Sequence, residues 1–204
     1  MVVMRNGLEP FPTEFVKTNL DRLNNMDKQE NKIELPKRKQ LRIKDYDYSQ
    51  NGYYFVTVCT YGRKRVFGKI QNGEMRLNRF GDIINEVWMD LVNHNNIKMH
   101  EYIIMPDHIH GIIEMCGRER SVTVPENNCY HFGIPEIIRQ FKTFSSKRIN
   151  EYLKRNGLEP FPTGKLWQKS YYDHIIRNEQ DYITRVEYMI NNPIKWEFEN
   201  NVTG

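Results

Sequence analysis

"IKMHEYIIMPDHIHGIIEM", Ile97 to Met115, is the stretch on which the fold turns. Two runs rich in Ile and Met, each of strand length, meet at Pro106-Asp107, a pair suited to a turn. We read them as antiparallel strands over 97–105 and 108–115. Residues two apart on a strand share a face, so His108 and His110 project together, about 6–7 Å apart along the backbone, while Ile109 faces the core. Gly111 is expected to remove a side chain beside them. Two imidazoles so placed can converge on one divalent cation, leaving positions for a third ligand, water or a phosphate oxygen.

Working outward, "GYYFVTVCT" (52–60) is β-branched and aromatic and predicts a strand. "VFGKIQNGEMRL" (66–77) predicts a hairpin, because Asn72-Gly73 is the preferred pair for a type I′ turn. In 78–96, Asn78 can cap a helix whose apolar face carries Phe80, Ile83, Ile84, Val87, Trp88, Leu91 and Val92. A second helix is expected over 135–154, with Pro135 at its first position and Ile138, Phe141, Ile149 and Leu153 inward. "LWQKSYYDHIIR" (166–177) predicts a strand, and 178–192 a last helix ended by Pro193. The order strand, hairpin, helix, strand, strand, helix, strand, helix predicts an α+β fold. It suits a ferredoxin-like two-layer sandwich on an antiparallel sheet, with one extra C-terminal helix.

The chain of 204 residues suits one domain. Residues 1–36, rich in Asn, Lys, Glu and Asp, predict a poorly ordered extension, and 37–204 the domain proper. No apolar run approaches the roughly 20 residues that span a bilayer, and the start lacks an apolar segment with a cleavage site, so a cytoplasmic protein is expected. Cys59, Cys116 and Cys129 are odd in number and unevenly spaced, which disfavours a disulfide framework or a thiolate zinc site. The net charge of +4 is mild. Its distribution is more telling, with basic clusters at 35–44, 61–69 and 139–148, each beside aromatic or apolar residues that could stack on bases while the cations meet phosphates.

In "RVEYMINNP", Tyr188 and Asn192 are four apart and share a helical face, with Glu187 beside them. A phenol with an amide one turn away is a reasonable nucleophile and metal ligand if that helix crosses the histidine strand. Taken together, "MPDHIHGIIEM", "LWQKSYYDHIIRNEQDY" and "VEYMINNPIKW" resemble, in the same order over roughly 40–197, the Y1 transposases of the HUH (histidine-hydrophobe-histidine) endonuclease superfamily. The similarity is closest to the REP-associated tyrosine transposases.

The resemblance implies a single-strand DNA endonuclease and strand transferase. On that reading His108 and His110 hold Mg²⁺ or Mn²⁺ with Asn192 as third ligand, and Tyr188 is the nucleophile. Attack on the scissile phosphate would leave a 5′-phosphotyrosine and a free 3′-hydroxyl. The implied partner is single-stranded or hairpin-forming repeat DNA, the protein being a monomer or homodimer without a membrane. The alternative is a domesticated hairpin-binding protein that no longer cuts.

Tyr171, Tyr172 and Tyr182 compete for the nucleophile's role. The first two are adjacent on a strand, so only one can face the site, and Tyr182 lies on another side of the last helix. His174 is expected to pack in the core or to support the site. Arg63, Lys64 and Arg65 in a loop, and Arg139, Lys142, Lys147 and Arg148 on the second helix, are the expected phosphate contacts. They would position the strand without reading its bases.

"RNGLEPFPT" occurs twice, at 5–13 and 155–163, in flanks that otherwise share nothing. Gly-Leu-Glu-Pro can be encoded by the palindrome GGG-CTC-GAG-CCC. Both copies are therefore expected to be translated fragments of a dispersed palindromic repeat, the second inserted in a surface loop near 155–164. Residues 1–25 would then be dispensable, with Met26 an alternative start. A twice-used Pro-rich peptide that binds a partner or packs on the sheet is the other reading.

Overall fold

The computed structural model describes Tyr48, residues 50–116, 133–162 and 165–201. The extension 1–36, the first nonapeptide, the basic cluster 35–44 and Cys129 lie outside the described residues, as does most of the 116–133 loop. The elements are β1 (Gly52–Cys59), β2 (Gly68–Gln71), β3 (Glu74–Leu77), α1 (Arg79–Asp90), β4 (Ile97–Met105), β5 (His108–Met115), α2 (Ile134–Arg155), β6 (Tyr172–Ile176) and α3 (Glu179–Asn201).

Four strands form an antiparallel sheet in the order β4-β5-β1-β6, while β2 and β3 pair separately. Leaving out that hairpin, the chain runs β-α-β-β-α-β with the two central strands flanked by β4 and β6, the ferredoxin-like arrangement. Alternation splits the sheet between two cores. Tyr54, Val56, Val58, Ile109 and Ile113 face α1 and α2, where Trp88, Phe141, Ile149 and Leu153 complete the larger core. Phe55, Ile103, Met105, Ile112 and Ile176 face the other way and are covered by Met189 of α3. The third helix therefore adds a layer to the sandwich.

Local signals set most boundaries. The Asn78 side chain accepts from the backbone amides of Phe80 and Gly81 and starts α1. Asn72 and Gly73 have φ of 54° and 72°, as a type I′ turn requires. Ile138, Phe141, Ile149 and Leu153 are buried as expected.

Four expectations are corrected. First, α1 ends at Asp90, followed by a 3-10 turn over Leu91–Asn93, where the Asn95 side chain takes the Leu91 carbonyl away from a continuing helix and Val92 is exposed. Second, regular pairing before β6 does not begin at residue 166. The Lys142 ammonium draws in the carbonyls of Gln168 and Ser170, at 2.8 and 3.0 Å, and these leave the ladder. Third, α3 passes through Pro193 to Asn201. The proline removes one helical donor, but the turns beyond it are fastened: both oxygens of Glu197 accept from the Asn72 and Gly73 amides, at 3.1 and 2.6 Å. Fourth, Gly111 does not clear space beside the histidines. It alternates with them and makes room for Trp88, whose Cζ2 would lie 2.4 Å from a Cβ at that position.

The second nonapeptide does occupy a helix-to-strand connection, and it is tied down there. Asn156-Gly157-Leu158 ends α2 in a Schellman motif, with Gly157 at φ 69°, its amide bonded to the Lys154 carbonyl and the Leu158 amide to the Leu153 carbonyl. Phe161 is buried against Phe80, and the Asn150 side chain both donates to and accepts from its backbone.

Candidate active site

Register brings the site together. β5 pairs with β1 so that His108 lies opposite Cys59 and His110 opposite Thr57. Both imidazoles are buried, at 4% exposure, and their Nε2 atoms face each other at 2.9 Å. The far nitrogens are fixed: His108 Nδ1 lies 2.5 Å from Asp107 Oδ1, and His110 Nδ1 lies 2.8 Å from Thr57 Oγ1. A carboxylate only accepts, so His108 carries its proton on Nδ1 and offers a lone pair at Nε2. One proton on His110 Nε2 completes the contact between the rings, and the Thr57 hydroxyl then donates to His110 Nδ1. Burial holds His110 well below the ordinary histidine range, with His108 and Arg63 adding to the effect. It is a neutral imidazole at physiological pH.

Arg63 braces this array from the rim. Its Nε pairs with Asp107 Oδ2 at 3.0 Å, and its Nη1 donates to Cys59 Sγ at 2.8 Å. The residue sits at φ 56°, in the left-handed region where a non-glycine is uncommon. Cys59 and Cys116 are free thiols; burial pushes the Cys59 thiol up.

From above, α3 brings Tyr188 edge-on to His110, with ring centres 5.2 Å apart, and to Phe55 at 6.2 Å. The phenol is 46% exposed. Trp196 of the same helix lies over His108 at 5.8 Å and carries the Arg65 guanidinium on its ring. The histidines, Tyr188 and Asn192 line one cleft of about 530 Å³ together with Thr57, Arg63 and Gln168. The amide nitrogen of Asn192 is buried there without a hydrogen-bond partner among the described residues. No third His, Cys, Asp or Glu joins the pair to form a metal-binding group among those residues.

The other expected residues separate into groups. Tyr171 is buried and Tyr172 is exposed in the cleft, so one of that pair does face the site. The Tyr182 hydroxyl is bonded to the Glu101 carboxylate, and burial with that bond raises it far above an ordinary phenol. His174 bonds Asp181 at 2.7 Å and meets Arg185, bracing β6 against the start of α3. Glu187 is exposed. Arg63 lines the cleft, while Lys64 lies over the Tyr61 ring and Arg65 over Trp196. Arg139, Lys142, Lys147 and Arg148 belong to α2, on the opposite face of the sheet. There Arg139 pairs with Glu136 and Arg148 with Asp90, Lys142 holds the loop before β6, and Lys147 is exposed. Thr57, Gln168 and Trp196 were not expected in the cleft; their presence follows from register and from the continuation of α3, neither of which has a local signal.

The sheet is ferredoxin-like, with two neighbouring imidazoles under a helix-borne phenol, and comparison with known proteins gives the family. The model for the IS200-like transposases matches residues 48–192, and this chain belongs to that family. It is 33% identical over 171 residues to an uncharacterized protein of Haemophilus influenzae, covering 78% of this chain and 90% of the relative. A second H. influenzae protein, provisionally named a REP-associated tyrosine transposase, is 24% identical over 153 residues, covering 73% of this chain and 74% of the relative. Two solved structures are also similar. One is a REP-associated tyrosine transposase bound to a REP hairpin, with TM-score 0.48 and 18% identity over 79% of this chain and 74% of that one. The other is a provisionally assigned transposase from Deinococcus radiodurans, with TM-score 0.44 and 17% identity over 74% and 96%. Among the described residues no helix is long and apolar enough to cross a membrane.

Proposed function

We propose that this transposase cuts and rejoins single-stranded, hairpin-forming repeat DNA through a covalent 5′-phosphotyrosine at Tyr188. The observation that carries the reading is the placement of the Tyr188 ring beside His110, in the same chain and over the same cleft. The donor set fits a divalent ion. Two Nε2 atoms converge, His110 is kept neutral, and Asn192, whose amide oxygen could serve as a ligand, lines the same cleft. His108, His110 and Asn192 would hold Mg²⁺ or Mn²⁺, which supplies Lewis-acid neutralisation of a phosphate's non-bridging oxygens.

The chain's own residues do the rest. Asp107 and Thr57 orient the two rings, and rotation of the Thr57 hydroxyl allows it to accept from His110 Nδ1–H when the Nε2 lone pair is wanted for a ligand. The phenol of Tyr188 gives up its proton as its oxygen attacks phosphorus, the bond from phosphorus to the 3′ oxygen breaks, and that oxygen takes up a proton in turn and leaves as a 3′-hydroxyl. The tyrosyl phosphodiester keeps the bond's energy, so a 3′-hydroxyl from another strand can reverse the step without ATP. Arg63, Lys64 and Arg65 would meet the phosphates of a strand entering the cleft.

Incubation of a labelled hairpin oligonucleotide with the protein and Mg²⁺ is expected to give a protein–DNA adduct that survives denaturant. EDTA and Tyr188→Phe should each remove it, while Tyr188→Phe leaves the melting temperature unchanged, as befits a half-exposed hydroxyl. An adduct that persists in Tyr188→Phe would overturn the assignment.

A further inference from the structure

Each histidine row continues across the sheet beyond β1. Thr57, opposite His110, is also opposite Tyr172 on β6, so His110, Thr57 and Tyr172 form one transverse row on the cleft face. Cys59, opposite His108, accepts from the Gln168 backbone amide at 2.9 Å through its carbonyl, so His108, Cys59 and Gln168 form the next row. Strands lie about 4.8 Å apart, which puts the outer members of each row about 10 Å from the histidines. A nucleotide whose phosphate sits at the histidines can reach that far with a neighbouring base.

The two outer side chains are unengaged. Tyr172 is 57% exposed although it lines the cleft, and neither its hydroxyl nor the Gln168 amide makes a hydrogen bond among the described residues. Their backbone, by contrast, is held firmly. Trp167 bridges to Thr60, its indole nitrogen donates to Ser145 Oγ at 2.9 Å, and Lys142 gathers the carbonyls that follow. A flat aromatic face and an amide with donor and acceptor side by side, on a rigid edge, match the two ways a protein holds an unpaired base: stacking and edge hydrogen bonding.

We propose that Tyr172 and Gln168 form a single-base subsite, in which the base flanking the scissile phosphate stacks on the Tyr172 ring and presents its edge to the Gln168 amide. This rests on the reading of the cleft as a DNA-cutting site. It makes these residues determinants of where the strand is cut, separate from those that cut it.

The test uses hairpin oligonucleotides with randomised single-stranded flanks, sequenced from the adduct with wild-type protein and Mg²⁺, and from the bound fraction with Tyr188→Phe in EDTA. Wild type should prefer one base at one position beside the junction. Gln168→Ala should flatten the preference at that position alone, and Tyr172→Ala should lower adduct yield and binding about tenfold, with the melting temperature unchanged for both. An abasic nucleotide at the preferred position should weaken wild type to the same degree and leave Tyr172→Ala no weaker than before. Unchanged preferences in both variants, or equal loss at every position, would overturn the subsite. Absence of the adduct in wild type would overturn the cutting reaction instead, while the bound fraction still reads the subsite.

Discussion

His110 shows how much of this site is set by a single residue's surroundings. Its nitrogens are shared between Thr57 and His108, and burial opposes its protonation. The unfolded chain takes up that proton near pH 6.5, whereas the folded chain resists it, so the unfolded state binds more protons below that pH. Stability from this group is complete above about pH 6.5 and declines as the pH falls from there toward the lower folded value. Denaturant unfolding at pH 7 and pH 5 should show wild type losing stability on acidification and His110→Asn losing less. A steeper loss in the variant would contradict the sign. That the two histidines share a face was legible from their spacing. Thr57 and Cys59 were not, because their place depends on how β1 pairs with β5, some 50 residues apart, and Arg63 was read as a phosphate contact and not as the partner of Asp107.

At the scale of elements, β5 is a partition. One face carries the imidazoles, and the other carries Gly111 against Trp88, itself wedged by Phe141 at 5.1 Å. Gly111→Ala should overpack that contact and cost about 1–3 kcal/mol in denaturant unfolding, with the histidine face untouched. The long helix α3 raises a different point. Its first turns are held through Asp181 and His174, and its last through Glu197 on the tip of the β2–β3 hairpin. Tyr188 lies between these fastenings. Glu197→Ala should cost about 1–2 kcal/mol, the worth of charge-assisted hydrogen bonds, and should slow adduct formation. Equal adduct rates would separate the hairpin from the positioning of Tyr188. Proline at 193 reads as a helix end in the letters alone. It fails as one because Glu197 and the turn it grips are more than a hundred residues apart.

Across the described residues, the larger core and the candidate site occupy opposite faces of one sheet. The large core under α1 and α2 is where apolar periodicity is strongest, and there the elements were legible from sequence. The thinner cluster under α3 leaves room for a cleft, and its contents were legible mainly through likeness to a family. The paired nonapeptide gives a prediction at this scale. If the first copy is a translated repeat, a chain begun at Met26 should match the full chain in melting temperature and in hairpin binding; a drop in either would give residues 1–25 a part in the fold or in the interface.

The second copy bears on how such a repeat survives in a gene. Between Asn156 and Phe161 it supplies a terminator for the helix that precedes it and a foothold in the nearest hydrophobic surface. If the second copy is a fragment of mobile DNA read in this frame, it arrived equipped for its landing place, and the protein keeps its shape because the passenger's own residues make the join.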